Sequence, residues 1–148
     1  MPSTHFSLHY HLVFSTKNRL PHIQKEWRER LHAYLGGIIR DQGGVPHMIG
    51  GVEDHVHLLI GLRTTHRLPD LLREVKASSS NWVHRELRRP AFSWQEGYGV
   101  FTVGAPQIEA VKNYIANQEE RHRRTTFQEE YLSFLKQGGI AFDERYLW

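Results

Sequence analysis

Apolar side chains alternate with other residues in two segments of the chain, and this period of two restricts the fold more than any other feature. The alternation runs through residues 6–14 and again through residues 55–62. Because successive side chains of a strand point to opposite faces of its sheet, each segment predicts a strand with one buried face. Residues 45–49 indicate a further strand, and the turn signal Gly50-Gly51 pairs it with residues 55–62 as a hairpin. The sequence therefore predicts an antiparallel sheet.

Apolar residues recur at helical spacing in the segments between and after these strands. Helices are predicted at residues 24–42, 69–87, about 106–121 and about 127–137, and further short strands at residues 91–95 and 98–103. Thr126 and Glu129 have the spacing of a capping box, which marks the start of the last helix. The element order β, α, β-hairpin, α, β, α is typical of an α+β fold in which helices pack on an antiparallel sheet.

Composition narrows the functions that are open to the chain. Its 148 residues predict one domain over residues 1–148. It contains no cysteine, which excludes a disulfide framework, a thiolate metal site and a cysteine nucleophile. Lysine and arginine number 19 against 16 acidic residues, with 11 histidines and a sequence pI near 9.3, a balance compatible with a nucleic-acid partner. No signal peptide or membrane span is recognisable, so we expect a soluble, cytoplasmic protein.

Two histidines two residues apart, His55 and His57, lie within the second alternating segment. On a strand they point to the same face, where their imidazoles can bind one divalent ion while Val56 points into the core. Asp54 precedes them and is either a turn residue or a partner that orients one imidazole. Taken alone, the pattern fits half of a metal site and two solvent-exposed histidines equally well.

Tyr114 and Gln118 are four residues apart on the third predicted helix and therefore share one of its faces, beside the apolar stripe that includes Val111 and Ile115. A tyrosine there is a candidate nucleophile for phosphorus, because a phosphotyrosine diester keeps the bond energy of the original linkage. The amide oxygen of Gln118 is a hard ligand that can complete a two-histidine site for Mg²⁺ or Mn²⁺. By itself, Tyr114 fits an ordinary aromatic residue at the rim of the core better than a nucleophile.

The combination of these motifs resembles the single-tyrosine HUH transposases, in which U is a hydrophobic residue. His55-Val56-His57 on a strand is followed by Tyr114 and Gln118 in the helical segment YIANQ. Three more segments carry the resemblance: YHLVFSTK at residues 10–17, REVK at residues 73–76 with Trp82, and WQEGYG at residues 94–99. The resemblance covers nearly the whole chain and is especially close to small insertion-sequence transposases and REP-associated tyrosine transposases. It implies a ferredoxin-like α+β domain, the HUH fold.

The resemblance also implies roles for individual residues. His55, His57 and Gln118 would bind a divalent cation, Mg²⁺ or Mn²⁺, and Tyr114 would attack the scissile phosphate. The implied products are a 5′-phosphotyrosine linkage and a free 3′-hydroxyl, so that strands are cut and rejoined without nucleotide hydrolysis. Members of the family often carry paired histidines after the glutamine. This chain has only His122 there, which we expect to lie outside the minimal site.

A DNA partner and a second subunit are implied as well. The expected substrate is single-stranded DNA with hairpin ends, and the expected assembly is a homodimer in which the tyrosine helix can be exchanged between subunits. His9 and His11 are not assigned as ligands, and Trp82 and Trp94 fit the core better than base stacking. Eight basic residues are candidates for phosphate contacts, although each fits a solvated surface equally well: Lys17, Arg19, Arg85, Arg88, Arg89, Arg121, Arg123 and Arg124.

Two other functions stay open from the sequence. The first is a domesticated regulator that binds hairpin DNA on the same fold without strand transfer, although such a protein has no chemical reason to keep all four candidate site residues. The second is a metal-dependent phosphodiesterase in which His55 and His57 activate water. That enzyme would remain active without Tyr114.

Overall fold

The computed structural model describes residues 3–143, which form a four-stranded antiparallel sheet with helices packed on it. The strands are β1 (His9–Ser15), β2 (Val45–Gly51), β3 (His55–Gly61) and β4 (Gly99–Val103), in the spatial order β2-β3-β1-β4. The helices are α1 (Lys25–Asp41), α2 (Leu68–Glu86), α3 (Ile108–Ala116), α4 (Gln118–His122) and α5 (Phe127–Gln137). Among these described residues, no helix is long and apolar enough to cross a membrane.

One face of the sheet carries the main core. In the pairing of β1 with β3, Leu12 lies opposite Leu58 and Phe14 lies opposite Val56. These four side chains are fully buried and pack with apolar residues of α1 and α2. Each fully buried aliphatic side chain of this kind contributes roughly 1.5–3 kcal/mol to folding. The core therefore anchors β3 through every second residue, and the residues between them point to the opposite face.

The opposite face is covered in part by α3, which approaches β2 closely at a glycine. A Cβ atom at Gly50 would lie 2.6 Å from the carbonyl oxygen of Ile115 and 2.8 Å from its Cγ2. Only glycine leaves room for the backbone of α3 at this point. Because Tyr114 precedes Ile115, this contact brings Tyr114 to the sheet face that carries His55 and His57, and its ring centroid lies 5.7 Å from that of His57.

The predicted fold class is confirmed, and so is the capping box, because Thr126 Oγ1 accepts a hydrogen bond of 3.2 Å from the Glu129 backbone N–H. The strand predicted at residues 91–95 is wrong, since Trp94 forms an isolated bridge with Thr16 and no strand runs through that segment. The physical reason is a turn that directly follows Trp94. The ammonium group of Lys76 binds the carbonyl oxygens of residues 95, 96 and 97 at 2.9, 3.1 and 2.6 Å, which holds the chain in a turn.

The single helix predicted over residues 106–121 is also wrong, because it breaks at Asn117. Asn117 has φ −104° and ψ 27°, which separates α3 from α4. Its side-chain Nδ2 donates a hydrogen bond of 2.8 Å to the carbonyl oxygen of Asn113. Asparagine often competes with the backbone in this way and so interrupts helices. As a result, Tyr114 and Gln118 lie on consecutive helices rather than on one helix face.

Candidate metal centre and nucleophile

His55 begins β3, and its imidazole is fully buried. Its Nδ1 lies 2.7 Å from Asp54 Oδ1, and its Nε2 lies 3.2 Å from Gln118 Oε1 and 3.5 Å from Glu130 Oε1. These oxygen atoms only accept hydrogen bonds, so both ring nitrogens carry a proton in this arrangement. Burial by itself lowers the pKa of His55, but the hydrogen bonds to Asp54 and Glu130 outweigh it and raise the pKa to about 9. Asp54 therefore orients this imidazole, which was one of its two predicted roles.

His57 is also fully buried, but it has a different protonation state. Burial lowers its pKa to about 4 despite the nearby carboxylate. A neutral ring holds one N–H, and the carboxylate of Glu130, 2.9 Å from Nε2, requires that N–H to be on Nε2. Nδ1 then accepts a hydrogen bond of 2.7 Å from Nε2 of His11, whose pKa burial and the neighbouring His57 lower to about 3. His11 thus fixes the ring of His57 from the side away from Glu130.

Glu130 of α5 lies at the centre of the site, with only 1% of its surface exposed. Its Oε1 is 2.9 Å from Nε2 of His57, 3.5 Å from Nε2 of His55 and 3.3 Å from Nε2 of His122. Burial raises the pKa of a carboxyl group, but the imidazole hydrogen bonds outweigh it and hold the pKa of Glu130 well below its usual range. Glu130 is therefore a buried anion that three imidazoles surround.

Tyr114 is half-buried on α3, and its hydroxyl donates a hydrogen bond to Oε2 of Glu130. The guanidinium carbon of Arg121 lies 4.9 Å from the centre of the Tyr114 ring, and Arg121 Nε lies 3.3 Å from the same Oε2. Burial, the hydrogen bond and the charge of Glu130 together raise the pKa of Tyr114 above its usual range, although Arg121 acts in the opposite direction. The phenol is therefore protonated in this arrangement.

Gln118 enters the site at the first position of α4, directly after the break at Asn117, and its side chain is 1% exposed. Its Oε1 lies 3.2 Å from Nε2 of His55 and 3.0 Å from Nε2 of His122. The expectation that His122 lies outside the minimal site is wrong. Four residues along α4 from Gln118, His122 shares its helix face and therefore reaches the same cluster.

Glu130 does not stand out in the sequence, yet a local signal marks it. The buried side of α5 includes Phe127 and Leu135, and Phe134 packs on the site from the same side. Glu130 is three residues after Phe127 and four before Phe134, so it occupies a core position of an amphipathic helix. Carboxylates at such positions are rarely buried unless they are paired. A glutamate within an apolar helical stripe is thus the pattern that could have identified this residue.

Four side chains have donor atoms close enough to hold one ion: His55, His57, His122 and Glu130, whose donors all lie within 4.8 Å of one another. Imidazole nitrogen and carboxylate oxygen are ordinary ligands of divalent metal ions. Donor atoms that are each about 2.1 Å from an ion lie roughly 3.0–3.5 Å from their neighbours in the usual geometries. The distances of 2.9, 3.3 and 3.5 Å from Glu130 Oε1 to the three imidazoles match that spacing. The cluster is therefore consistent with an HUH metal site.

The basic residues predicted to contact DNA lie in separate places. Arg121 and Arg124 line a cavity of about 230 Å³ next to Tyr114. Arg123 and Arg124 also form ion pairs with Glu120 at 2.8 and 3.6 Å. The others lie in the turn after β1, in the last turn of α2 or in the loop that follows α2: Lys17, Arg19, Arg85, Arg88 and Arg89. The structure thus brings two of the eight to the tyrosine.

The two tryptophans predicted for the core are both packed against protein. Trp94 is 7% exposed, and its Nε1 donates a hydrogen bond of 2.9 Å to Ser79 Oγ. Trp82 is half-buried and stacks on Tyr34 at 4.8 Å between ring centroids. Neither ring reaches the histidine cluster on the opposite face of the sheet.

A family model described as "Transposase IS200 like" matches residues 4–118 of the chain. A search of curated proteins finds no match. Among solved structures, a candidate transposase from Deinococcus radiodurans R1 is 27% identical, with a TM-score of 0.64, and the match covers 80% of this chain and 95% of that one. A REP-associated tyrosine transposase bound to a REP hairpin shares the fold at 12% identity and a TM-score of 0.60, over 82% of this chain and 74% of that one. Because the family model covers well over half of its length, the chain belongs to the IS200-like Y1 transposase family.

Proposed function

We propose that this chain is a DNA transposase, acting as one domain, that cuts and rejoins single-stranded DNA with hairpin ends through a covalent link to Tyr114. One observation supports the proposal most strongly. The hydroxyl of Tyr114 and the imidazoles of His55 and His57 meet at a single carboxylate, that of Glu130. The nucleophile and the candidate ligands therefore lie within reach of one small group, as they must if an ion held by the imidazoles is to contact the phosphate that Tyr114 attacks.

In the proposed reaction, the oxygen of Tyr114 forms a bond to phosphorus while the bond from phosphorus to the 3′ oxygen breaks. The phenol loses its proton, and the departing 3′ oxygen takes one up, so the products are a 5′-phosphotyrosine diester and a free 3′-hydroxyl. Attack of a 3′-hydroxyl on that diester reverses the step and joins strands without ATP. Arg121, which lies over the Tyr114 ring, stabilises the phenolate as it forms.

The residues of the site fit Mg²⁺ or Mn²⁺. The proposed ligands are His55, His57 and Gln118, and the donors of His122 and Glu130 lie in the same cluster. A bound ion would supply Lewis-acid stabilisation of the negative charge on the phosphate. Residues outside the cluster hold both rings of β3 in place: His55 Nδ1–H donates a hydrogen bond to Asp54, and His57 Nδ1 accepts one from His11.

The DNA class and the assembly are part of the proposal. The REP-associated relative carries a REP hairpin, and the sequence pI of this chain is near 9.3. Arg121 and Arg124 beside Tyr114 are the first candidates for phosphate contacts, followed by the more distant basic residues predicted from sequence. We also propose a homodimer. Within one chain Tyr114 already contacts the site that contains its own His57, so exchange of the tyrosine helix is not required to assemble the cluster.

The covalent intermediate provides the test. Wild-type protein, Tyr114→Phe and the matched control Tyr34→Phe, which alters a tyrosine stacked on Trp82, are incubated with 5′- and 3′-labelled single-stranded hairpins and Mn²⁺. We expect a labelled protein band on a denaturing gel for wild type and the control, and none for Tyr114→Phe. Cleavage by Tyr114→Phe at the wild-type rate would refute the proposal in favour of the water-using phosphodiesterase. Tight hairpin binding without cleavage by any of the three proteins would favour the regulator.

A further inference from the structure

Two histidines from strands that are not neighbours in the sheet meet above Gly61, the last residue of β3. Strand β3 separates β1 from β2, and Gly61 pairs with His9 of β1 on one side and with β2 on the other. The pairing of β2 shifts between Pro46 and Met48, which adds His47 as an extra residue at this point. The imidazoles of His9 and His47 approach to 5.3 Å between ring centroids. The pair lies at the opposite end of β3 from the candidate metal centre.

The missing side chain of Gly61 provides the space in which the two rings meet. A Cβ atom there would lie 3.2 Å from Nε2 of His47 and 3.5 Å from Cδ2 of His9. Because Cδ2 is bonded to Nε2 within the imidazole, the Nε2 edge of both rings borders the space above the glycine. A larger residue would fill this space. Gly61 therefore allows one ion to reach both rings.

The separation of the rings matches two ligands of a single ion. An imidazole nitrogen binds Zn²⁺ at about 2.0–2.1 Å, so two rings at the tetrahedral angle have centroids about 5.2 Å apart. His9 and His47 lie at 5.3 Å, close to the 5.1 Å between His55 and His57. Nδ1 of His9 lies 3.4 Å from Ser7 Oγ. When Nδ1–H donates to that hydroxyl oxygen, Nε2 is left free to bind an ion, as is usual for histidine ligands.

The surroundings of His47 agree with this geometry. Burial, followed by the charges of His9 and Lys112, lowers the pKa of His47, so its ring is neutral at pH 7. Neutral imidazole is the form that binds metal ions. The ammonium group of Lys112 lies 3.8 Å from Glu109 Oε1, which offsets part of its charge. Both rings are half-buried and line a cavity of about 320 Å³, which has room for an ion and its water molecules.

We propose that His9 and His47 form a second metal site, which binds a transition-metal ion that prefers imidazole, such as Zn²⁺, Ni²⁺ or Cu²⁺, with water completing the coordination. His55 and Gly61 are the two ends of β3, so this site is roughly 20 Å from the candidate metal centre. Mn²⁺ is at the weak end of the affinity order for such ligands, so a response to Mn²⁺ reports on the candidate metal centre alone. An ion above Gly61 would cross-link β1 to β2 over β3. The inference does not depend on the proposed function.

The number of zinc ions bound by each variant tests the site. Wild type, His9→Ala, His47→Ala and the matched control His5→Ala, at an exposed histidine, are titrated with ZnCl₂ by calorimetry near neutral pH. We expect His9→Ala and His47→Ala each to bind one equivalent fewer than wild type, and the control to bind as many as wild type. An unchanged number of ions in either of the two variants would overturn the site.

A substitution that keeps both histidines tests the space between them. Gly61 is part of a strand and alanine fits its extended backbone, but the added methyl group would crowd the rings. We expect Gly61→Ala to weaken zinc binding at this site about tenfold. Gly37→Ala is the matched control, because a Cβ atom there has no neighbour within 4 Å, and it should keep the wild-type affinity. Equal affinities of the two variants would contradict the proposed position of the ion.

Paramagnetic Cu²⁺ locates the ion without any substitution. In nuclear magnetic resonance spectra of wild type, Cu²⁺ should broaden the amide signals of His9, His47 and Gly61. Broadening confined to the signals around His55 would overturn the site. Arg63 lines the same cavity and gives it a positive charge. If inorganic phosphate shifts the ring signals of His9 and His47 and Zn²⁺ does not, the pair is an anion site and the proposal is wrong.

Discussion

Alternate residues of β3 point to two faces of the sheet, one apolar and one polar. Towards α1 and α2, Val56 and Leu58 are buried among other apolar side chains. Towards α3 and α5, His55 and His57 are buried just as completely, but among imidazoles, an amide and a carboxylate. Burial of the first face stabilises the fold because it removes apolar surface from water. Burial of the second face would destabilise the fold if its imidazoles, amide and carboxylate did not hydrogen-bond one another.

In β3, the residues that give rigidity and the residues that carry the chemistry are separated by a single position along the chain. The apolar face fixes the position of β3. The ring nitrogens of the two histidines are therefore not needed to hold the strand in place and can serve the site. On the polar face, each interaction is conditional on a partner from a different element, and removal of one partner leaves another buried group unsatisfied. Changes on the apolar face should therefore act on stability alone, whereas changes on the polar face should act on metal and DNA binding as well.

The largest expected effect is on the apolar face. Leu58→Ala removes a fully buried side chain and leaves a cavity, so we expect the free energy of unfolding to fall by about 2–5 kcal/mol, measured by urea denaturation. Leu20→Ala, at a side chain that is 47% exposed, is the control and should change it by less than about 0.5 kcal/mol. Equal effects of the two substitutions would contradict the division of the sheet into a stabilising and a functional face.

On the polar face, His57→Ala should abolish stabilisation by a divalent ion. An ion at a hundred times its Kd adds about 2.7 kcal/mol to the stability of a protein that binds it only when folded. Wild type should therefore melt at a higher temperature with Mn²⁺ than with EDTA, and His57→Ala should melt at the same temperature in both. His9→Ala, which removes another histidine of the sheet, should keep the wild-type response to Mn²⁺. If Mn²⁺ no longer stabilised His9→Ala, the ion would bind outside the cluster.

The affinity for the ion should increase with pH. His55 is protonated below its pKa of about 9, and an ion that binds Nε2 must displace that proton. The proton is bound more tightly than at an ordinary histidine, so the affinity for Mn²⁺ should rise about tenfold per pH unit from pH 7 towards 9 and level off above that. Calorimetric titrations at several pH values, in buffers of different ionisation enthalpy, measure both the affinity and the proton released. An affinity that is constant over this range would refute the assigned protonation of His55.

The smallest expected effect concerns the contact between Asp54 and His55. Burial lowers the pKa of His55 and the hydrogen bond to Asp54 raises it, so Asp54→Asn should move the rise in Mn²⁺ affinity to lower pH by about one unit. Asparagine still offers an oxygen to Nδ1, so the ring keeps its orientation. Glu53→Gln, an exposed neighbour, should leave the pH profile unchanged. An identical shift in both variants would mean that general surface charge, rather than the Asp54 contact, controls the site.

The elements that were predicted well are those with a strong local pattern. The alternation around His55 located β3, and the capping box located the start of α5 at Thr126. The errors come from contacts that no local pattern reports. Lys76 of α2 turns the loop at residues 95–97, and the side chain of Asn117 ends α3 one turn before the predicted helix would have ended. In both cases the hydrogen bonds of one polar side chain outweighed a weak local preference.

Which side chains share a strand face follows from the sequence alone, because the period of two is set by the geometry of the backbone. The sequence therefore placed His55 and His57 on one face and identified Tyr114 and Gln118 as their candidate partners. The surroundings of these residues depend on how the helices and strands pack together. His57 meets His11 across 46 residues and Glu130 across 73, and both contacts depend on how β1 and α5 pack on β3. A carboxylate is buried here because donors from three other elements, β3, α3 and α4, converge on it. Such convergence is a property of the packed fold rather than of any segment.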